Sequence, residues 1–477
     1  MRPTIMGTDK QCTGCGAQLQ SERPHEAGFI PNEPLAAVEV EPKARAKKSA
    51  KDFVRAGVDE IEHLKAQMAA EYGEEEMLKL FTATDPDSVW YNKDASEVAQ
   101  RTKLRRRVCQ RCYALRNYGK LMPVTVPVES DIVNDLLLPL RSQQVFVIQL
   151  IDLFDVGGTL IDDFHKYLGP TTRVFLVANK LDLMPVGIKP MRVTHWLKRY
   201  IKKRHPALHK KVIGVALVSA RSGDGVREAL RRIDIANVDK RDIFVVGCTN
   251  VGKSTFVNRV LHNETKSGPR LSDITVSRVH GTTLANIYTP YPRVDGVHLV
   301  DTPGLVSQKT IVANAGVEPT KRVRTVTVRL KRGKSVFFGG LTRVDYTEGE
   351  AEAVYLTLFA ANEITVHVTS TERAAEVHAR HCGSLLKPPF LEQFDGEVRG
   401  DTFLERYRLE PQTFDLESHD WRDSLCDIVL PGVGWAAVNA RYKFQLVVHV
   451  MPGAVTYIRD PLMPYEMHQT VEMHKQK

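Results

Sequence analysis

The stretch GCTNVGKST, Gly247 to Thr255, decides the fold. Its glycines, lysine and serine stand at the spacing Gly-x-x-x-x-Gly-Lys-Ser, with the buried-strand pattern DIFVV before it and the helical pattern STFVNRVLH running on from it. Glycines at these positions let successive backbone N–H groups turn inward around phosphate oxygens, and the helix N-terminus adds partial positive charge. The expected cradle is Asn250, Val251, Gly252, Lys253, Ser254 and Thr255. Lys253 is expected to reach the β- and γ-phosphates, and the Ser254 hydroxyl to bind Mg²⁺. DTPG (301–304) ends the next apolar strand, so Asp301 is expected to hold Mg²⁺ through water and the Gly304 N–H to sense the γ-phosphate. Between them HGTTL (280–284) offers Thr282 or Thr283 as a further Mg²⁺ ligand.

A nucleotide pocket of this class also needs a base reader, and none follows the loop. One precedes it. NKLD, Asn179 to Asp182, ends the strand RVFLVA. A carboxylate at Asp182 accepts two hydrogen bonds from guanine, N1–H and the exocyclic amine, and adenine cannot supply that pair. A site built on paired polar groups rejects the wrong base strongly, because a mismatch leaves buried groups unpaired. Asn179 is expected to brace the loop, the Lys180 stem to stack on the base, and Ser219 and Ala220 to bring a backbone N–H to guanine O6. The nucleotide is therefore GTP or GDP. Base reader first and phosphate loop second means a circularly permuted G domain, since sheet order survives when chain order is rotated between neighbouring termini.

The wider chain agrees. VFVIQLID (145–152), RVFLVANK (173–180), KVIGVALVSA (211–220), RDIFVVG (241–247) and GVHLVDTPG (296–304) are near-continuous apolar runs with helical patterns between them. That alternation implies βαβ units and a mostly parallel sheet. After about residue 320 short strand patterns with turn residues take over, interrupted by the helical TERAAEVHARHCG. The expected organisation is an N-terminal segment 1–120, a permuted α/β G domain 121–318, a β-rich α+β domain 319–458 and a tail 459–477.

The 477 residues are 43% hydrophobic and 26% charged, a globular composition without an apolar run long enough to span a bilayer. The net charge of +9 is clumped in KARAKKSAK, RTKLRRR, LKRYIKKRH and KRVRTVTVRLKRGK, which favours an RNA-like partner. Seven cysteines include two Cys-x-x-Cys pairs, Cys12/Cys15 and Cys109/Cys112, and no secretory apolar segment precedes them. Four thiolates suit a closed tetrahedral structural Zn²⁺ site, with Cys248, Cys382 and Cys426 left as packing residues. The metal would close a long loop holding an expected helix at 58–81, and loop-closure entropy grows only slowly with length.

Taken together, CTGCGAQLQ, VCQRCYALRNYGK, the order NKLD–SA–phosphate loop–DTPG, FFGGLTRVDY and DIVLPGVGWAAV resemble the YqeH-type circularly permuted GTPases. The resemblance covers nearly all of the chain outside 32–100 and the C-terminal tail. It implies a GTPase that assists assembly of the small ribosomal subunit precursor, contacting rRNA, ribosomal proteins or other assembly factors. The long insert 32–100 suggests an organellar, mitochondrial member, with the cytoplasm as the alternative. Leu305 stands where other GTPases carry a water-positioning glutamine, which implies slow intrinsic hydrolysis. Asn250 stands where K⁺-stimulated relatives help to hold potassium, so Lys253, Asn250, Thr283 and Gly304 are the expected catalytic positions. A GTP-dependent binding scaffold with incidental hydrolysis is the other reading; a membrane GTPase lacks a basic amphipathic helix with bulky aromatics.

Overall fold

A computed structural model describes residues 11–30 apart from 13, 24 and 25, then 109–112, 137, 139–161, 163–264, 285–305, 319–390, 405, 407–430, 433–454 and 456–463. The expected helix at 58–81, the insert 32–100, Thr282 and Thr283 lie outside the described residues. The chain forms two compact units, Met1–Thr125 and Val126–Lys477. The Cys12 N–H bonds the Ala17 carbonyl at 2.8 Å, and Gly16 turns the chain at φ 78°. Gln20 pairs with Phe29, and the Gln110 N–H reaches the Phe29 carbonyl at 2.9 Å, which ties the two cysteine segments together.

The second unit starts with a six-stranded sheet: β1 Phe146–Asp152, β2 Arg173–Asn179, β3 Val212–Leu217, β4 Ile243–Val246, β5 Ile287–Pro290 and β6 His298–Asp301. Their order is β3-β2-β1-β4-β6-β5, all parallel except β5, which pairs antiparallel with β6. Among the described residues the sheet's long helices are α1 Pro190–Arg204, α2 Val226–Ala236 and α3 Lys253–Glu264. Side chains alternate across a strand. Val147 and Ile151 of β1 therefore pack with Trp196, Leu197 and Ile201 of α1, while Phe146 and Ile148 pack with Leu230 of α2 and Phe256 of α3. Both faces are covered, which is why these strands read as continuous apolar runs. The edge strand β5 was not expected from the sequence, because four residues alternating buried and exposed are too short a pattern to stand out.

Among the described residues, ten antiparallel strands follow. β7 Val326–Lys331, β8 Lys334–Phe338, β9 Thr342–Gly349, β10 Ala353–Ala360 and β11 Val366–Ser370 precede helix α4, Thr371–His381. After it come β12 Glu410–Ser418, β13 Cys426–Leu430, β14 Gly434–Asn439, β15 Tyr442–Val450 and β16 Tyr457–Arg459. They form two sheets, β16-β13-β14-β10-β7 and β11-β8-β9-β15-β12. Val336, Val344 and Tyr346 of one sheet meet Leu356, Ile428 and Val438 of the other in a shared core. The opposite face of the first sheet, with Phe359, Val429 and Trp435, joins the G-domain core around Trp196. The fold runs past the boundary expected at 458: Arg459 closes β16, and Leu462 and Met463 are buried in the same core. Those residues carry the packing between the two domains, so they belong to the folded body and not to a tail. Cys248, Cys382 and Cys426 are all buried.

Candidate nucleotide site and metal centre

The site is assembled at the carboxyl ends of β1, β2, β3, β4 and β6, where a parallel sheet leaves backbone ends and helix N-termini free to meet a ligand. Asn179 ends β2 and is 4% exposed. Its Nδ2 donates to the Val251 carbonyl at 2.8 Å, and its Oδ1 accepts the Ala220 N–H at 2.8 Å. One amide thus ties together the base loop, the Ser219–Ala220 loop and the phosphate loop. Gly252 is obligatory here: its φ is +91°, and a Cβ would stand 2.5 Å from Asn179 Nδ2.

Lys180 adopts a left-handed backbone, φ 69°, and its ammonium pairs with Asp152 Oδ2 at 2.7 Å, both side chains being largely buried. Asp152 ends β1 directly beside Asn179 in register. Its Oδ1 accepts the Phe154 N–H at 2.8 Å, so the carboxylate is fixed before it holds the lysine. Asp152 was missed in the sequence reading, because a carboxylate at a strand end has no motif of its own. Arg259 was missed too: from α3 its Nε donates to the Ala220 carbonyl at 3.0 Å, and its Nη2 donates to the Arg221 carbonyl. Ser219 is fully buried, and its Oγ accepts the Ser222 N–H at 3.0 Å. Asp182 is half-exposed at the rim.

In the phosphate loop Asn250 (φ 60°) and Gly252 are left-handed, the conformation that turns neighbouring N–H groups to one side. Val251 is fully buried; Thr255 is half-buried in the first turn of α3. Lys253 Nζ donates to the carbonyls of Gly247 (3.0 Å) and Cys248 (2.8 Å). Burial pulls its pKa down, and the Asp301 carboxylate opposes that. The Ser254 hydroxyl donates to Asp301 Oδ2 at 2.7 Å. A Cβ on Gly304 would stand 2.8 Å from Thr249 Cγ2 and 3.1 Å from Lys253 Nζ, so the DTPG backbone lies against the phosphate loop. The Leu305 N–H bonds the Gly247 carbonyl at 3.2 Å, and its own carbonyl accepts the Thr249 N–H at 2.8 Å. Its side chain is buried in the core. A buried cation beside inward-turned N–H groups suits a polyphosphate, and a hydroxyl next to a carboxylate offers the hard oxygens Mg²⁺ requires.

In the first unit the sulfurs of Cys12, Cys15, Cys109 and Cys112 all lie within 4.8 Å of one another, and all four residues are buried. The Cys15 and Cys109 sulfurs are 3.8 Å apart. Four thiolates about 2.3 Å from a tetrahedral zinc stand about 3.8 Å from each other, so the donor set fits that ion. The N–H groups of Gly14 (3.4 Å) and Cys109 (3.2 Å) point at Cys12 Sγ and favour its thiolate.

Comparison with known proteins agrees with this geometry. A family described as "50S ribosome-binding GTPase" matches residues 242–351, and one described as "YqeH-like, C-terminal" matches 354–462. The chain is 33% identical over 362 residues to "Uncharacterized protein YqeH" of Bacillus subtilis, covering 75% of this chain and 91% of that protein. It is 26% identical over 373 residues to "NO-associated protein 1, chloroplastic/mitochondrial" of Arabidopsis thaliana, covering 71% of this chain and 64% of the relative. "Small ribosomal subunit biogenesis GTPase RsgA" of Ectopseudomonas mendocina is 29% identical over 187 residues, 39% of this chain and 46% of that protein. The permuted sheet, the phosphate loop and the two family matches converge, and the chain belongs to the YqeH family of circularly permuted GTPases.

Proposed function

We propose that this GTPase serves assembly of the small ribosomal subunit, binding rRNA, ribosomal proteins or other assembly factors with GTP bound and leaving after hydrolysis. The observation that supports a guanine switch is the Asn179 amide, bonded to Val251 on one side and Ala220 on the other. Base recognition and phosphate recognition then respond as one body. In this reading Asp182 accepts from guanine, the Lys180 stem covers its face, and the Ser219–Ala220 backbone meets O6. Lys253 exchanges its two carbonyl partners for phosphate oxygens. Ser254, Asp301 and Thr282 or Thr283 supply oxygens to Mg²⁺, and Cys12, Cys15, Cys109 and Cys112 hold Zn²⁺. The Leu305 side chain is turned into the core, so no side chain at that position orients water, and hydrolysis by the protein alone is slow. Asn250 is the candidate ligand for K⁺, which would take the part of an arginine finger.

The ribosomal reading is supported by the likeness to RsgA, named for small-subunit biogenesis. The matched GTPase family is described by the 50S subunit, so the test must compare both particles. GTP turnover should rise several-fold with purified small subunits, rise little with large ones, and be faster in K⁺ than in Na⁺. The protein should leave small subunits with GTP and remain with a non-hydrolysable analogue. Stimulation by large subunits alone would overturn the small-subunit assignment. Equal retention with both nucleotides would favour the scaffold reading, which the buried Leu305 also accommodates. We place the protein in mitochondria, with the cytoplasm as the alternative; imaging of the full-length tagged protein decides between them.

A further inference from the structure

We propose that the outer face of α1 is a docking surface for the phosphate backbone of RNA. Helix α1 runs Pro190–Arg204 as PMRVTHWLKRYIKKR, with six arginines and lysines and no acidic residue. It buries Val193, Trp196, Leu197 and Ile201. At 3.6 residues per turn the face opposite that stripe carries His195, Lys198, Arg199 and Lys202, flanked by Arg192, all exposed. Two of the six cations are engaged with the C-terminal domain: Lys203 pairs with Asp460 at 3.2 Å, and Arg204 Nη2 donates to the Ile458 carbonyl at 2.7 Å. Arg192, Lys198, Arg199 and Lys202 make no ion pair or side-chain hydrogen bond with any described residue.

This arrangement is unfavourable for the helix itself. Lys198 and Lys202 are like charges at i, i+4, Arg199 and Lys202 at i, i+3, and each such pair costs a few tenths of a kcal/mol. Cations in the last turn suit the helix dipole, but Arg192 stands in the first turn, against it. A partner that supplies a row of negative charges reverses every one of these terms. From Arg192 to Lys202 the face is about 15 Å long, enough to follow several phosphates of one strand. Exposed Lys210 continues the positive surface beyond the short helix Pro206–His209. Helix α1 is a basic amphipathic helix carrying Trp196 and Tyr200, contrary to the expectation that the chain has none, but a membrane is the poorer fit. The apolar stripe of α1 is already spent on the core, and Met191 is the one strongly exposed large apolar residue of the helix. NKLD lies just upstream of α1, so the surface is one short loop away from the base reader.

The proposal rests on the ribosomal reading only for which RNA is bound. The test uses the full-length protein, fluorescently labelled small-subunit rRNA and a series of KCl concentrations. Wild type is compared with R192Q/K198Q/R199Q/K202Q and with a control, R373Q/R380Q/R441Q/K443Q, at exposed cations outside the dense basic runs. Each cation withdrawn from a phosphate lowers the slope of log affinity against log salt by about 0.7 to 0.9, so the α1 variant should show a slope shallower by about 3. At low salt it should bind at least tenfold more weakly than wild type and the control, with GDP affinity unchanged as proof of folding. An α1 variant with the wild-type slope overturns the proposal, and so does a wild type that binds no RNA. Sedimentation with intact small subunits keeps the two readings apart: wild type that sediments while the α1 variant retains full RNA affinity leaves the ribosomal reading standing without this surface. Loss of sedimentation with RNA affinity intact would assign α1 to an acidic protein, and loss of binding only to anionic phospholipid vesicles would assign it to a membrane; each overturns RNA docking.

Discussion

Asp152 holds Lys180, the lysine expected to cover the base, and nothing in the motifs names it. Its carboxylate lies 2.7 Å from Lys180 Nζ and is itself fixed by the Phe154 N–H. A hydrogen bond to a charged group contributes about 1.5–3 kcal/mol, so Asp152→Ala should weaken GDP binding roughly tenfold or more. Stacking is indifferent to the exocyclic amine, so GDP and inosine diphosphate should weaken together, whereas Asp182→Ala should penalise GDP far more. Calorimetric titration of the single variants and of the double variant with Lys180→Ala checks this. If Asp152 acts through Lys180, the second substitution adds little; full additivity would remove it from that role. Asn179, Lys253 and Asp301 could be singled out from the sequence because each sits in a contiguous motif whose spacing is set by one turn of backbone. Asp152 and Arg259 act across strands and helices, and their meaning depends on a register that no local pattern encodes.

Between elements, the segment 319–324 leads into the C-terminal sheets and runs past both loops expected to read the base. Thr320 accepts from Arg221 Nη1 at 3.0 Å, and the Val323 N–H bonds the Leu183 carbonyl at 2.9 Å. Asn362 of the β-rich domain clamps the far end, donating to the Arg322 carbonyl at 2.9 Å and accepting the Arg324 N–H at 2.8 Å. Asn362→Ala removes two of those bonds without touching the pocket, and should speed release of a fluorescent GDP analogue several-fold in stopped flow while leaving base preference unchanged. An unaltered release rate would show that the segment is merely a tether. The long central strands were legible from their apolar runs, but two shorter features were not. β5 is a four-residue edge, and β12, EPQTFDLES, opens with charge and proline and hides a regular alternation of half-buried and exposed positions.

Across the whole second unit, the G domain and the β-rich domain are joined by core and not merely by linker. Arg459 lies between the rings of Trp196 and Trp435, 5.1 and 5.0 Å from their centres, and pairs with fully buried Asp427 at 3.1 Å. Burial pushes the Asp427 carboxyl pKa up, and Arg459 pulls against it. Gly157 allows the close approach: a Cβ there would overlap the Tyr457 hydroxyl. A buried pair broken on one side leaves an uncompensated charge and costs about 3–5 kcal/mol, whereas an apolar pair of similar volume is often neutral. Asp427→Ala should therefore lower the urea midpoint sharply, and Asp427→Leu combined with Arg459→Met should recover most of the loss. Because the charged pair sits in a core shared by both domains, tryptophan fluorescence and far-ultraviolet circular dichroism should report one coincident transition. Two separated transitions in the wild-type protein would mean that the domains unfold independently, and that nucleotide state reaches the sheets only through 319–324.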